Sequence, residues 1–303
     1  MRIIIGSRGS QLALWQANWV KERLTAAGYE LEIRIIKTTG DKLANIPLTQ
    51  SGTKGLFIKE IEEALAAEEV DLAVHSLKDL PIEQPEGLTV AAVPEREDAR
   101  DVLISSDGRR FSTLPSGARV GTSSLRRQSQ LRRLRADLEI VPMRGNLDTR
   151  LKKLDRGDCE AVVLAAAGVR RLGLADRITE YFGTEQLCSA VGQGALALEI
   201  RKRDERIKLA VAPLDHPASH LAVLAERAML RHLGGGCQVP IAAHAVLEAG
   251  QLRLLGVVAS LEGSEIVRAS AFGPAAEPDA LGATVARALL EQGAGPILES
   301  VNA

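Results

Sequence analysis

Apolar positions along the chain recur with the periods of strands and helices. The run RIII (2–5) has strand character, and after the polar turn GSRGS the segment LALWQANWVKERLTAAG has the apolar spacing of a helix that ends near Gly28. LEIRIIKT is typical of a strand, FIKEIEEALAAEE of a helix, and VDLAV and LTVAAV of further strands. This alternation predicts βαβ units and a largely parallel sheet.

The middle of the chain repeats this plan. PEREDARD (94–101) is charged and lacks periodicity, and we interpret it as a linker. After it come a strand, the polar turn GTSS and a helix, in the same order as at the start of the chain. We therefore expect two α/β lobes that face one cleft. Ligands would bind at the carboxyl ends of the strands, where helix N-termini offer N–H groups to anions.

A third, smaller domain is expected at the C-terminal end. APLDHP (212–217) contains two prolines and marks a boundary, after which a helix, three strand-like runs and a last helix predict an α+β domain. The 303 residues suffice for two or three domains. We expect domain 1 to comprise 1–94 and 195–212, domain 2 to comprise 99–190, and domain 3 to comprise 217–303.

The composition indicates a soluble globular protein. Apolar residues make up 46% and charged residues 25% of the chain, and no apolar run approaches the ~20 residues that span a membrane. The start has no secretory signal, which favours a cytoplasmic location. The three cysteines Cys159, Cys188 and Cys237 are odd in number and lack C-x-x-C spacing, so neither a disulfide framework nor a metal site is expected. No interface pattern argues against a monomer.

Positive charge is concentrated in one third of the chain. The net charge is −1, but the segment from Arg109 to Arg171 has thirteen arginines and two lysines against six acidic residues, a net charge of +9. Phe111 is its only aromatic residue, so the stacking surface that single-stranded nucleic acid needs is missing. A small polycarboxylate or phosphate ligand fits better, because arginine binds carboxylates through two parallel hydrogen bonds.

Three residues are candidates for chemistry. Cys237 follows three glycines in LGGGCQVP; it is either a buried structural cysteine after a helix stop or a thiol on an open loop that a bulky ligand can reach. Asp79 in AVHSLKDLP is either a turn residue or the carboxylate that stabilises a substrate cation and protonates a leaving amine. His75 either packs within the lobe or acts as the base for Cys237 in a hydrolase-like pair.

Eight motifs together resemble one known family. They are RGSQLALWQ, GTKGLFIKEIE, DLAVHSLKDLP, EREDARD, GTSSLRRQSQL, RGNLDTRL, AVGQGALALEIR and LGGGCQVPIAAHA. In this order, and over nearly the whole chain, they are similar to the porphobilinogen deaminases, also called hydroxymethylbilane synthases. The resemblance implies two periplasmic-binding-protein-like α/β lobes around a cleft, plus a small α+β C-terminal domain that carries the cysteine loop.

The resemblance also implies a reaction and a cofactor. The family is a transferase that condenses four porphobilinogen molecules head to tail with loss of ammonia, and water then frees the linear tetrapyrrole hydroxymethylbilane. The chain grows on a dipyrromethane cofactor, held by a thioether to the residue that corresponds to Cys237. Asp79 matches the essential aspartate, which stabilises an azafulvene-type cation. Cofactor and product together bring about twelve negative charges, which suits the +9 segment.

Binding roles carry over by motif position. The expected carboxylate ligands are Arg8, Ser10, Lys78, Arg126, Arg127, Arg144, Arg150 and Arg171. Hydrogen bonds to cofactor or substrate are expected from Ser76, Thr122, Ser123, Ser124 and Gln193. The polar segment 38–55 is interpreted as a lid, with Lys54 and Phe57 at its hinge side.

Two other functions are compatible with parts of the sequence. A non-catalytic protein that binds small anions on the same two-lobed fold would explain the arginines, but it gives Cys237 and Asp79 no purpose. A cysteine hydrolase would use His75 as its base. Only the transferase predicts a covalent pyrrole on Cys237.

Overall fold

The computed structural model describes residues 1–42, 58–234 and 239–302. The chain forms two compact units. Unit 1 comprises Met1–Arg96 and Ala195–His220, and unit 2 comprises Glu97–Gly194 and Leu221–Ala303. The division into three domains with the boundaries given above stays a prediction.

Unit 1 is built on a five-stranded sheet. Its strands and helices are β1 (Arg2–Ser7), α1 (Gln11–Ala26), β2 (Glu30–Ile35), α2 (Thr39–Lys42), α3 (Lys59–Ala66), β3 (Leu72–Ser76), β4 (Leu88–Ala92), β10 (Leu196–Arg201) and α7 (Glu205–Val211). The strand order is β2-β1-β3-β10-β4. β1 pairs in parallel with β2 and β3, whereas β10 runs antiparallel to β3 and β4. The sheet is therefore largely parallel, as its sequence pattern predicts.

The alternation of side chains along β1 places helices on both faces of this sheet. Ile3 and Ile5 are fully buried in a cluster with residues of α1 and α7. Ile4 points the other way and packs against a cluster that contains Ile61 and Leu65 of α3. Both faces of the sheet are covered, which explains the nearly continuous apolar run at the start of the chain.

Unit 2 contains a second sheet of the same plan. Its elements are β5 (Asp101–Ser105), β6 (Arg119–Gly121), α4 (Leu125–Leu134), β7 (Glu139–Val141), α5 (Leu147–Asp155), β8 (Ala161–Ala165), α6 (Ala166–Arg171) and β9 (Glu180–Tyr181). The order is β7-β6-β8-β5-β9, with β6 parallel to β7 and β8 and with β5 antiparallel to β8 and β9. The prediction of two α/β lobes of similar plan is confirmed.

In both sheets one strand runs against its neighbours, a detail that the sequence pattern did not reveal. These strands are β10 and β5. Each enters its sheet directly after the chain has passed from the other unit, rather than after a crossover helix of its own unit. The handedness and direction rules for βαβ crossovers therefore do not constrain them.

The C-terminal part of unit 2 is an α+β arrangement, as predicted. Its elements are α8 (Pro217–His232), which begins in unit 1 and continues into unit 2, β11 (Ile241–Glu248), β12 (Gln251–Ala259), β13 (Ile266–Pro274), α9 (Pro278–Leu289) and α10 (Gly295–Asn302). The three strands form an antiparallel sheet in the order β11-β12-β13. Met229 of α8 and Val285 of α9 are fully buried in its apolar core. Gly282 permits close packing of α9 on α8, because a Cβ there would lie 2.5 Å from the Ala228 Cβ.

Candidate active site

Asp79 lies on a short turn that is anchored on both sides by buried leucines. β3 ends at Ser76, and Leu77–Asp79 form one turn of 3-10 helix. Leu77 and Leu80 are buried, and the Leu77 N–H donates to the Ala195 carbonyl at 3.0 Å. Asp79 itself is exposed. The turn thus holds a carboxylate at the carboxyl end of a central strand and presents it to solvent.

The other predicted site residues of unit 1 lie near strand ends. Arg8 is half-buried in the turn between β1 and α1, and Ser10 is the N-cap of α1, where its Oγ accepts from the Ala13 N–H at 3.3 Å. Ser76 Oγ accepts a hydrogen bond from Nε2 of the buried Gln16 at 2.9 Å. Lys78 is half-buried beside Asp79.

Sequence reasoning missed Gln16, although a signal for it exists. Within α1 the buried positions are Gln16, Ala17, Val20 and Leu24. Gln16 stands four residues before Val20, so it occupies the apolar stripe of the helix. A polar side chain in such a stripe requires a partner, and here the partner is a hydroxyl from the predicted site.

Unit 2 contains a buried ionic group around Asp101. Arg126 and Arg127 open α4, and both reach the fully buried Asp101 carboxylate at the start of β5. Arg126 Nη1 lies 2.8 Å from Asp101 Oδ2, and Arg127 Nη2 and Nε lie 2.7 and 3.1 Å from Oδ1. Arg126 also donates to the Cys188 carbonyl and Arg127 to the Val163 carbonyl.

The charges of this group do not balance. Burial acts to raise the pKa of Asp101, but the neighbouring guanidinium groups of Arg126 and Arg127 outweigh it and hold that pKa well below its usual range. Burial lowers the pKa of Arg127 despite its contact with Asp101. One carboxylate faces two guanidinium groups, a net charge of +1 in the interior. Such a group would be stabilised by an additional anion.

The turn that ends at Gly194 adds three more buried polar contacts. Gln193 is fully buried, and its Nε2 donates to the Ala99 carbonyl at 2.7 Å and to Asp101 Oδ1 at 2.9 Å. Arg171 Nη2 donates to the Gly194 carbonyl at 2.8 Å. Gly194 has φ +89°, and a Cβ there would lie 2.3 Å from the Glu97 carbonyl oxygen, so only glycine fits.

Arg171 is a second buried cation. Burial lowers its pKa to about 10, while the charge of Glu97 acts in the opposite direction.

The hydroxyl groups of the GTSS segment order the start of α4. Ser124 is the N-cap and its Oγ accepts from the Arg127 N–H at 3.4 Å, while Thr122 Oγ1 accepts from the Ser124 N–H at 3.2 Å. Ser123 Oγ accepts from the Met143 N–H at 3.0 Å. Arg144, which follows β7, and Arg150 of α5 are half-buried. Arg150 Nε donates to the Gly145 carbonyl at 2.9 Å.

Burial disfavours thiolate formation at two cysteines and packs one histidine within its lobe. Cys159 and Cys188 are buried, and burial raises their pKa values to about 11 and about 12, so neither forms a thiolate readily. His75 is buried with Nε2 at 3.1 Å from Glu199 Oε2. The interpretation of His75 as a residue packed within the lobe is thus confirmed.

Some predicted site residues are not covered by this geometry. Cys237, Lys54 and Phe57 lie outside the described residues, as does the part of the segment 38–55 that begins at 43. Asp101 is the functional candidate that sequence reasoning missed in unit 2. It is the last residue of the charged run PEREDARD, in which nothing distinguishes it from the other acidic residues. The available signal was its position directly before the apolar run VLI of β5.

Comparison with known families accounts for both parts of the chain. Residues 3–209 match the model described as "Porphobilinogen deaminase, dipyromethane cofactor binding domain", and residues 220–291 match "Porphobilinogen deaminase, C-terminal domain". The chain belongs to the porphobilinogen deaminase family. The resemblance found in the motifs is therefore confirmed.

Individual relatives agree with this assignment over their whole length. A porphobilinogen deaminase of Pelobacter propionicus is 52% identical over 299 residues, 98% of this chain and 96% of the relative. One of Syntrophobacter fumaroxidans is 50% identical over 301 residues, 99% and 97% of the two chains. Among solved structures, a periplasmic substrate-binding protein of an ABC transporter from Coxiella burnetii is similar with a TM-score of 0.43 and 16% identity, covering 74% of this chain and 94% of that one.

Membership in the porphobilinogen deaminase family establishes the activity and the cofactor. The chain is a hydroxymethylbilane synthase, a transferase of tetrapyrrole biosynthesis that acts on porphobilinogen, and its cofactor is dipyrromethane. The alternative of a non-catalytic anion-binding protein is not favoured. Within residues 1–42, 58–234 and 239–302, no helix combines the length and apolar character needed to cross a bilayer.

Proposed function

We propose that Asp79 is the catalytic carboxylate of this porphobilinogen deaminase. The observation that carries the proposal is its setting: an exposed carboxylate on a turn that Leu77 and Leu80 fix to the lobe. Loss of ammonia from porphobilinogen leaves a cation whose charge is spread over the pyrrole ring. A carboxylate held in place stabilises that charge without the cost of reorganising in the transition state, and it can hand a proton to the leaving amine and later accept one.

The cationic groups of unit 2 fit the dipyrromethane cofactor. Each pyrrole carries an acetate and a propionate, and the Asp101 group offers an uncompensated buried positive charge through Arg126 and Arg127. Arg171 is a further buried guanidinium group of unit 2. When bound, the cofactor supplies the pyrrole carbon to which the first substrate is joined.

We assign the remaining binding roles by their chemistry. Arg8, Lys78, Arg144 and Arg150 supply further cations for the carboxylates of cofactor and substrate. Ser10, Ser76, Thr122, Ser123 and Ser124 supply hydroxyl groups at helix and strand ends. Gln193 contributes indirectly: it donates a hydrogen bond to Asp101, and Asp101 in turn orders the two arginines of α4. Lys54 and Phe57 belong to the proposed lid.

Cys237 is proposed as the attachment point, through a thioether. The experiment that tests this is intact-mass measurement of freshly purified protein, followed by mapping of the modified peptide. We expect a covalent pyrrolic adduct on the peptide that contains Cys237, and none in a Cys237→Ser variant. Active protein with the mass of the bare polypeptide would overturn the proposal.

We further propose that the protein acts as a cytoplasmic monomer without a nucleic-acid or membrane partner. The basic segment from Arg109 to Arg171 offers only Phe111 as an aromatic surface, which argues against base stacking. Light scattering coupled to gel filtration should give the mass of one 32.4 kDa chain. A stable dimer would contradict the monomer.

A further inference from the structure

A buried carboxylate on the strand β10 contacts both ends of the segment that carries Asp79. Glu199 is fully buried in unit 1. Its Oε2 lies 3.1 Å from His75 Nε2, and its Oε1 accepts from Gln84 Nε2 at 3.1 Å. Each carboxylate oxygen therefore has its own partner.

The two partners flank Asp79 in the sequence. His75 stands four residues before it and Gln84 five residues after it. Between them the chain leaves the sheet, forms the 3-10 turn Leu77–Asp79 and passes Pro81. Glu199, on the neighbouring strand, thus links the first and last residues of the segment 75–84, which restricts the conformations open to that segment.

The strand β10 is itself well suited to serve as the fixed support. All six of its residues are buried, and it pairs with β3 on one side and β4 on the other. The Ala195 carbonyl, just before the strand, accepts the Leu77 N–H at 3.0 Å. A buried side chain on a strand that is paired on both sides has little freedom.

We propose that Glu199 is a positioning residue for Asp79: its carboxylate clamps His75 and Gln84 and so fixes the direction in which the Asp79 carboxylate points. This inference rests on the proposed catalytic role of Asp79. It assigns a function to the one charged residue of the run LALEI in β10, where a buried ion is costly unless it is paired.

The charge of Glu199 also acts on a second carboxylate, Glu62 of α3. The pKa of Glu62 is raised to about 7, first by burial and then by the charge of Glu199, while the charge of His75 acts in the opposite direction.

The test is a kinetic comparison of holoenzyme variants. Glu199→Gln keeps the size of the side chain but replaces one acceptor oxygen by an NH2 group, so it removes the charge and can no longer accept from both Gln84 and the Nε2–H tautomer of His75. We expect kcat to fall at least about tenfold, because small displacements of a catalytic group are costly, with KM within about threefold and an unchanged cofactor mass. Gln84→Leu removes only the far contact and should lower kcat in the same direction.

Asp71→Asn is the matched control for lost stability. Asp71 accepts from the Ile4 N–H at 2.9 Å and from Arg201 at 3.2 Å, so it is also a carboxylate that links elements of the same sheet, but at the other end of β3. If its Tm falls as in Glu199→Gln while its kcat stays normal, general destabilisation does not explain the loss.

A double-mutant cycle separates this inference from the proposed function. In an Asp79→Asn background, Glu199→Gln should change kcat less than about twofold, because the group that it positions is already inactive. If Asp79→Asn alone retained normal turnover, the catalytic role of Asp79 would be wrong. If Asp79→Asn abolished turnover but Glu199→Gln and Gln84→Leu both kept kcat within about twofold of wild type, only the positioning role would be overturned.

Discussion

The guanidinium group of Arg127 donates two hydrogen bonds to one oxygen of Asp101 in the interior of unit 2. Its Nη2 lies 2.7 Å and its Nε 3.1 Å from Oδ1. Both side chains are buried, and Arg126 binds the other oxygen of the same carboxylate. Asp101 is thus the shared anionic partner of Arg126 and Arg127.

Removing the Asp101 charge should strongly destabilise the protein. In Asp101→Asn two buried guanidinium groups lose their counter-charge, a defect that typically costs about 3–5 kcal/mol of unfolding free energy. Denaturant unfolding of the variant measures this cost. Asp137→Asn is the control, because it removes a carboxylate that pairs with Arg135 at the surface, and its unfolding midpoint should shift far less. Equal shifts in the two variants would contradict the structural role of Asp101.

Truncation of Arg126 should impair cofactor assembly. Arg126→Ala leaves Asp101 and Arg127 as a balanced pair and abolishes the surplus positive charge. We expect a clearly lower fraction of protein with the covalent pyrrolic mass, measured by intact-mass spectrometry. Arg133→Ala, at an exposed position of the same helix, should load normally. A normal holoenzyme fraction together with normal kinetics in Arg126→Ala would remove this residue from the site.

Replacement of Asp79 should abolish turnover but spare the fold. Asp79→Asn keeps the size of an exposed side chain, so Tm and cofactor attachment should change little, whereas kcat should fall at least about a hundredfold. Glu83→Gln removes an exposed carboxylate from the same segment and should leave kcat unchanged. Near-normal turnover of Asp79→Asn would refute the catalytic assignment.

Glu62 should make stability fall as the pH rises. Its pKa in the folded protein is about 7, above its ordinary value of 4.5, so between these values the folded state holds a proton that the unfolded state has released. The unfolding free energy of wild type should therefore decline relative to Glu62→Gln from about pH 5 to about pH 8. For Glu63→Gln, at an exposed position of the same helix, the curve of unfolding free energy against pH should run parallel to that of wild type. Parallel curves for Glu62→Gln would contradict the raised pKa.

Local patterns predicted much of the architecture because they follow from which side chains must be buried. The apolar run of β1, the helical stripe of α1 and the repeat of strand, polar turn and helix that includes α4 each have a purely local signal. The antiparallel direction of β5 and β10 has none. It depends on where the chain re-enters each sheet, which no short segment encodes.

The sequence by itself determined the family, the two α/β lobes, the α+β end, and Asp79 as a carboxylate after a strand, because long motifs and apolar periods are properties of consecutive residues. Only the tertiary structure decided which polar residues share a partner. Asp101 meets Arg126 and Arg127 across some twenty-five positions, and Glu199 meets His75 across 124. A buried charge is tolerated only with a partner, and pairing across a sheet joins residues at distances along the chain that folding alone sets.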